Sequence, residues 1–337
     1  MKKFVSIIII LSLGLFLITA CERSDQDSKE SITIAEQYGL AYAPVQLIKE
    51  LELLEESDPD LKIEWKQLSN TTSIRESMLA GKVDIAFMAI PPFLIARDKG
   101  MEWKIISGLS ESPLGLMTNR ESVNSLSDFR EEDKIALPQP GSIQHILLSM
   151  AAQREFGDPG KFDEQLLTMS HPDAMNALLA GGEVSSHFAS APYLFLESKE
   201  EGIKKILSGK DAFGGDFTFI VGVSTEKFYQ QQSKNYQLFA AALEEAIKFM
   251  QQNPAEASAL LADNYDLTEA EMIEYLNWPG MIFTSEIKGL EEFITFMTAE
   301  GYLKENNYQP AELIFEKNKM TDLEKSAPEK EAVRNEE

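Results

Sequence analysis

Between residues 31 and 224, strand-like and helix-like segments take turns along the chain, and that order admits few folds. "SITIAEQ" reads as a strand. "YAPVQLIKELELLEE" reads as an amphipathic helix with Pro44 in its first turn, where a missing N–H costs little. "LKIEWKQL" is a second strand, and "TSIRESMLAGK" a helix stopped by Gly81. "VDIAFMAI" is, apart from Asp84 near its start, a continuous apolar run, the pattern of a strand covered on both faces. "PPFLIARDKG" then supplies a helix, and "EWKIISGL" and "LGLMTN" further strands. The same style resumes with the strand "DKIALP" and a helix whose Ile143, Ile146, Leu147, Met150 and Ala151 form one apolar stripe. "EQLLTMS", "SSHFAS" and "IKKILSG" read as strands, "HPDAMNALLAGG" and "APYLFLESKEEG" as the helices between them. After "FTFIVGVS" the chain turns to helices in succession, from "KNYQLFAAALEEAIKFMQQN" to "EIKGLEEFITFMTAEG". Strands separated by helices pair side by side in parallel, so the fold class is α/β with mostly parallel sheet. The sequence shows no internal repeat and no long Pro/Gly/Ser linker.

The ends are different in kind. Lys2 and Lys3 precede an apolar run from Val5 to Ala20, which is short for a membrane span and gives way at once to polar sequence. Residues 1–20 are therefore expected to be a signal peptide. The run closes with Leu17-Ile18-Thr19-Ala20-Cys21, which resembles a bacterial lipobox, and that resemblance implies cleavage before Cys21 and lipidation of its thiol end. Cys21 is the single cysteine, so the chain can hold neither an internal disulfide nor a cysteine metal cage. Residues 21–30 read as a tether. Residues 317–337, rich in Glu and Lys, read as a disordered tail. Net charge is −24, and −26 once Lys2 and Lys3 are gone, a balance that argues against nucleic acid and leaves any anion site to be built locally.

The body between the tails is long enough for two domains. Two short apolar strands, Leu114–Thr118 and Phe217–Val223, bracket its middle and are expected to be crossings between lobes. Lobe one then comprises 31–118 plus 219–310, and lobe two 119–218. In open α/β sheets ligands bind beyond the carboxyl ends of the strands. Those ends supply the candidates: Gln37 and Tyr38, Thr71, Ile90 and Pro91, and Ser110 in lobe one; Gly141, Ser142, Gln144, His145, His171, His187 and Tyr193 in lobe two. Gly141 permits close backbone approach, Ser142 can cap the helix that follows, and the free N–H groups of that first turn can meet an acceptor on a solute. The three histidines, His145, His171 and His187, stand on separate elements without a paired metal-ligand spacing, so they point to hydrogen bonding rather than to a metal. No cofactor is called for.

The stretches "LAGKVDIAFMAIPPFLIARDKG", "ISGLSESPLGLMTN" and "LSDFREEDKIALPQPGSIQHILL" resemble bacterial solute-binding proteins of the nitrate/sulfonate/taurine and thiamine-precursor group. Glu131-Glu132-Asp133 departs from that group's usual glycine segment. The resemblance covers roughly residues 31 to 300. It implies a type II periplasmic-binding fold, two lobes joined by two hinge crossings around a cleft that closes on a ligand. It further implies a monomeric, lipid-anchored extracytoplasmic protein that delivers a small organic solute to the permease and ATPase subunits of an ABC importer. The wall segments contain no Arg or Lys, which points away from nitrate or sulfate and toward a neutral or pyrimidine-type heteroaromatic solute; a sulfonate or taurine-like solute held by helix N–H groups stays compatible. Two other functions are compatible with the fold. One is a sensor or adhesion lipoprotein that has lost transport. The other is an enzyme like the eukaryotic thiamine-pyrimidine synthases, whose cysteine-rich segment is missing here. No G-x-S-x-G, H-E-x-x-H or phosphate loop is present.

Overall fold

The computed structural model describes residues 31–304 and 308–316. The signal peptide, Cys21, the tether and the tail at 317–337 lie outside the described residues. No described helix is long and apolar enough to cross a membrane.

Eleven strands are described and they form two sheets. The first is ordered β11 (Ile282–Phe283), β4 (Trp103–Glu111), β10 (Ile220–Thr225), β3 (Ile85–Ala89), β1 (Ser31–Glu36), β2 (Lys62–Gln67). The second is ordered β7 (Leu166–Thr168), β6 (Lys134–Leu137), β8 (Val184–Ser190), β5 (Leu114–Thr118), β9 (Lys204–Ser208). β1 pairs parallel with β2 and β3, and β6 parallel with β7 and β8. An antiparallel strand then joins each trio: β10 beside β3, and β5 beside β8. Each joining strand is reached by a crossing from the opposite lobe, since β5 follows β4 and β10 follows β9. The sheets are therefore mixed, not all parallel, because a strand arriving from the other lobe enters without a helical return. The same topology occurs twice, although the sequence shows no obvious repeat.

Sheet membership moves one boundary. Leu114–Thr118, expected to close lobe one, pairs with β8 and β9 and belongs to lobe two, so the first crossing is at Ser112-Pro113. A fully buried apolar strand reads the same in either sheet. The second crossing lies between the helix Gly209–Phe213 and β10. The expected single helix over residues 42–56 is broken. Helix Ala43–Glu50 ends, Glu52 takes a left-handed conformation at φ 49°, and a short helix Leu53–Ser57 follows. Leu47, Leu53 and Leu54 are all buried, and the break lets both segments bury their leucines.

The β-runs that were continuous and apolar are buried throughout, β3 and β5 at every residue. That rigid base matters for function, because the parallel strands all end at one edge of their sheet, and helices begin there. Helices Thr71–Leu79 and Ile90–Asp98 start beyond β2 and β3, and helices Ile143–Phe156 and His171–Leu179 beyond β6 and β7.

Candidate functional site: a cleft ringed by helix starts

The two strand-end edges face each other, and the lobes touch. The Leu40 N–H donates to the Ala191 carbonyl at 3.3 Å, and the Thr72 hydroxyl to the Gln139 side-chain oxygen at 3.1 Å. At the far side the Tyr302 hydroxyl meets Ser149 Oγ at 2.9 Å, and Phe195 stacks on Trp278 with centroids 4.2 Å apart. Between these contacts lies a cavity of about 60 Å³. At roughly 10–15 Å³ per water it has room for about four to six waters, or a compact head group.

Lobe one lines it with Gln37, Tyr38, Tyr42, Ser69, Thr71, Ala89, Pro92, Phe219 and Ile220; lobe two with Pro138, Gln139, Ser142, Ile143, Gln144, Ser170, His171, Pro172 and Ser190. None of these is Arg, Lys, Asp or Glu. What polarises the cavity is instead the convergence of helix starts. Asn70 Oδ1 accepts from Ser73 N, Ser142 Oγ from His145 N, and Ser170 Oγ from Asp173 N. Each cap satisfies an N–H of its helix's first turn, while the earlier amides of that turn have no intrahelical acceptor. Aligned peptide dipoles add partial positive charge at the same spots. Pro91, Pro92 and Pro172 carry no N–H, so the Thr71 and Ile143 helices are the better donors.

Of the residues expected from sequence, the structure brings Gln37, Tyr38, Thr71, Ser142, Gln144 and His171 to the cavity wall. Gln37 Nε2 is 3.4 Å from Thr71 Oγ1 and 3.5 Å from the Phe87 carbonyl. The others stand back from it. Ile90 and Pro91 are buried in their helix, with Ala89 and Pro92 at the wall instead. Ser110 is wholly buried within β4, and no partner reaches its hydroxyl. Tyr193 stacks behind His171, centroids 5.7 Å apart at 21°. Burial, and then the neighbouring Tyr38 phenol, push the Tyr193 pKa up.

Gly141 and His145 form a brace. The Gly141 N–H donates to His145 Nδ1 at 3.0 Å, which leaves the proton on Nε2 to meet Asp163 Oδ1 at 3.1 Å. That N–H is thus used within the loop. The close approach at Gly141 is made by the other lobe: φ is +79°, and a Cβ there would stand 2.9 Å from Ile95 Cδ1.

His171 and His187 act together. Gln144 Nε2 lies 3.2 Å from His171 Nε2; His171 Nδ1 lies 2.8 Å from His187 Nε2; His187 Nδ1 lies 2.5 Å from Glu197 Oε1. The row runs from the cavity wall to a side chain with 0% exposure. Burial holds His187 down to about 3, and burial plus His187 holds His171 well below the usual imidazole value. Burial pushes the Glu197 carboxyl up to about 8. At neutral pH all three are uncharged. Sequence reasoning missed Glu197, although Leu194 and Glu197 share one face of the helix Tyr193–Ser198 and that spacing places the acid inward. It also missed Tyr42, Pro138, Gln139, Phe219 and Ile220; the last two arrive over the second crossing. Among the described residues no group of three or more His, Cys, Asp or Glu could hold a metal ion.

Residues 57–257 match the model of the family described as NMT1/THI5 like, and the chain belongs to that family. A putative aliphatic sulfonates-binding protein of Bacillus subtilis (strain 168) is 23% identical over 77% of this chain and 78% of its own. The phosphate-import protein PhnD of Mycolicibacterium smegmatis is 27% identical over 52% of this chain and 58% of its own. Among solved structures, the alkanesulfonate-binding protein SsuA of Xanthomonas axonopodis pv. citri, bound to MOPS, superposes with a TM-score of 0.70. It covers 85% of this chain and 98% of its own at 18% identity, which shows a shared fold.

Proposed function

We propose that this member of the NMT1/THI5-like family is the solute-binding component of an ABC importer, and that its cleft closes on a small solute bearing a sulfonate-type oxyanion. The observation that carries the reading is the cavity itself: it holds no charged side chain, yet several helix starts and hydroxyl groups converge on it. Such a wall stabilises a compact anion through neutral donors, without the desolvation that buried cations impose. The sulfonates-binding relative supports the same class. Delivery to permease and ATPase subunits, action as a monomer, and a lipid anchor at Cys21 complete the proposal. The role is binding without turnover. A pyrimidine-type heteroaromatic is the second reading, because Tyr38, Tyr42 and Phe219 offer flat apolar surface at the same wall.

Titration calorimetry with ethanesulfonate, taurine, inorganic phosphate and an aminopyrimidine separates these readings. Saturable 1:1 binding of a sulfonate, with the aminopyrimidine inert, is the expected result. Binding of the aminopyrimidine alone would reverse the choice. Solute binding without any partner permease or ATPase encoded beside it would favour a sensor lipoprotein.

A further inference from the structure

The row Gln144–His171–His187–Glu197 has a direction, and the direction can reverse. We propose that Glu197, acting through His187 and His171, sets whether Gln144 turns a hydrogen-bond donor or an acceptor toward the cleft, and so governs whether the site accepts an oxyanion. The inference rests on the reading of this cleft as an oxyanion site.

Neutral imidazole has one N–H and one bare nitrogen, so a row of two passes polarity from end to end. In one arrangement the Glu197 O–H donates to His187 Nδ1, His187 Nε2–H donates to His171 Nδ1, and His171 Nε2–H donates to the Gln144 amide oxygen. The Gln144 NH2 is then left to the cleft. In the other, Gln144 Nε2–H donates to His171 Nε2, His171 Nδ1–H to His187 Nε2, and His187 Nδ1–H to Glu197. The Gln144 oxygen is then left to the cleft. Both imidazoles keep one proton in each arrangement, and a half-turn of the Gln144 amide accommodates the change.

The state of Glu197 selects between them. Its Oε2 is buried and has no hydrogen-bond partner, whereas Oε1 is 2.5 Å from His187 Nδ1. A proton on Oε2 would be a stranded buried donor; on Oε1 it has an acceptor. A protonated Glu197 therefore drives the donor-outward arrangement. An ionised Glu197 can only accept, and forces the acceptor-outward one. An acceptor facing the cleft repels a sulfonate oxygen.

Among the described residues, no charged side chain is hydrogen-bonded to Glu197. The elements packed against the helix Tyr193–Ser198 are β5, β8, β9, the helix His171–Leu179 and, through Phe195, the segment that carries Tyr275 and Trp278. β5 has no ionisable side chain. β8 contributes His187, in contact, and His171 follows it in the row. Asp173 is exposed and engages Ser170. Lys204 reaches Glu121 and Asn124 at the surface, and Lys205 is exposed. Lys199, on the same stretch of chain, pairs outward with Glu274 and Tyr275. Glu197 is a positioning residue: it touches no part of the cavity wall.

Imidazole 15N spectra of the labelled protein test this without any ligand, since each ring nitrogen reports whether it carries a proton. The chain's three histidines make assignment tractable, and His145 is an internal control held as Nε2–H by Gly141. His171 and His187 are expected to remain neutral but to move their protons from Nε2 to Nδ1 together as pH rises past about 8. Glu197→Gln should abolish the transition. One unchanged tautomer in the wild type from pH 6 to pH 10, or a transition that persists in Glu197→Gln, overturns the proposal. Calorimetry with ethanesulfonate is the second arm. Wild-type affinity should fall about tenfold per pH unit above the transition, and Glu197→Gln should stay flat. A tautomer transition in a protein that binds no sulfonate at any pH refutes the oxyanion reading and leaves the row intact. A transition with pH-independent sulfonate affinity refutes the control of binding by Glu197.

Discussion

The two lobes are variations on one design. The helix Thr71–Leu79 is capped by Asn70, ends before Gly81 at φ +64°, and leads into β3; the helix His171–Leu179 is capped by Ser170, ends before Gly181 at φ +68°, and leads into β8. Even the stops match, Met78-Leu79-Ala80-Gly81 against Leu178-Leu179-Ala180-Gly181. Within that frame, the first helical residue is Thr71 in lobe one and His171 in lobe two. Each lobe also buries an acid whose pKa burial raises to about 8, Glu36 and Glu197. Glu36 Oε1 accepts from the Gln46 amide, its Oε2 has no hydrogen-bond partner, Tyr42 and Tyr265 stand near it, and no row of imidazoles carries its state to the cleft. Glu197 is connected to the cleft by two imidazoles. The same scaffold thus yields a static wall in one lobe and a responsive one in the other, and the difference lies in what stands between the acid and the ligand.

The largest effect should come from breaking the fit between the lobes. Gly141→Val forces a β-branched residue to φ +79° and drives a side chain into Ile95 of lobe one. Backbone strain and overpacking each cost about 1–3 kcal/mol. Sulfonate affinity should fall roughly 30-fold or more, and small-angle scattering should show lobes that stay apart. Retained affinity would mean that closure does not use this contact.

Next in size is the pH dependence of stability, where the two acids act together. Between the ordinary carboxyl value of 4.5 and about 8, folded Glu36 and Glu197 each hold a proton that the unfolded chain has lost. Stability therefore falls as pH rises through that window, by up to about 1.4 kcal/mol per pH unit for each acid. His187, held at about 3 against 6.5, works in the opposite sense below 6.5, as does His171. The terms offset one another from about 4.5 to 6.5, so urea melts should show a plateau there and a decline from 6.5 to 8. Glu36→Gln and Glu197→Gln should each remove part of the decline; if only one does, the acids are not equivalent.

His145→Ala removes the brace that holds Gly141 and Asp163. It should destabilise lobe two by about 1–3 kcal/mol, because the Gly141 N–H loses its acceptor. Thermal melts monitored with and without sulfonate would show whether the loss is structural, seen in both, or confined to binding. Smallest of all is Thr72→Val, which deletes one hydroxyl contact to Gln139 across the cleft. It should cost about 0.5–1.5 kcal/mol in affinity and leave the melting midpoint nearly unchanged.

Much of this was legible in the sequence, and the reasons are specific. Short apolar runs such as "IAFMAI" fit strands covered on both faces, and their alternation with amphipathic stretches gave the element order and class. Strand ends named three of the nine lining residues on each side of the cavity, because ligands in such sheets bind where the parallel strands stop. Pairing partners were not legible. β5 is as apolar as β3, and only the register Leu114–Ser190 to Thr118–Ser186 assigns it to lobe two. The repeated design was hidden because the two copies share caps and glycine stops rather than side chains. His145 and His187 look alike in the sequence, yet one braces a loop and the other relays to an acid. That distinction depends on Glu197 and Asp163, which are far from any motif.

A distance measured across the cleft reports whether the two lobes close on an oxyanion. Leu79 and Leu179 are exposed, at 61% and 42%, at equivalent ends of the two lobes. Cysteines at these sites in a Cys21→Ser background give a spin-label pair with no competing thiol. Pulsed dipolar spectroscopy should show a broad distance distribution that narrows to a single shorter or shifted peak on adding ethanesulfonate. An unchanged distribution, with the sulfonate shown by calorimetry to be bound, would mean that the lobes do not close on it.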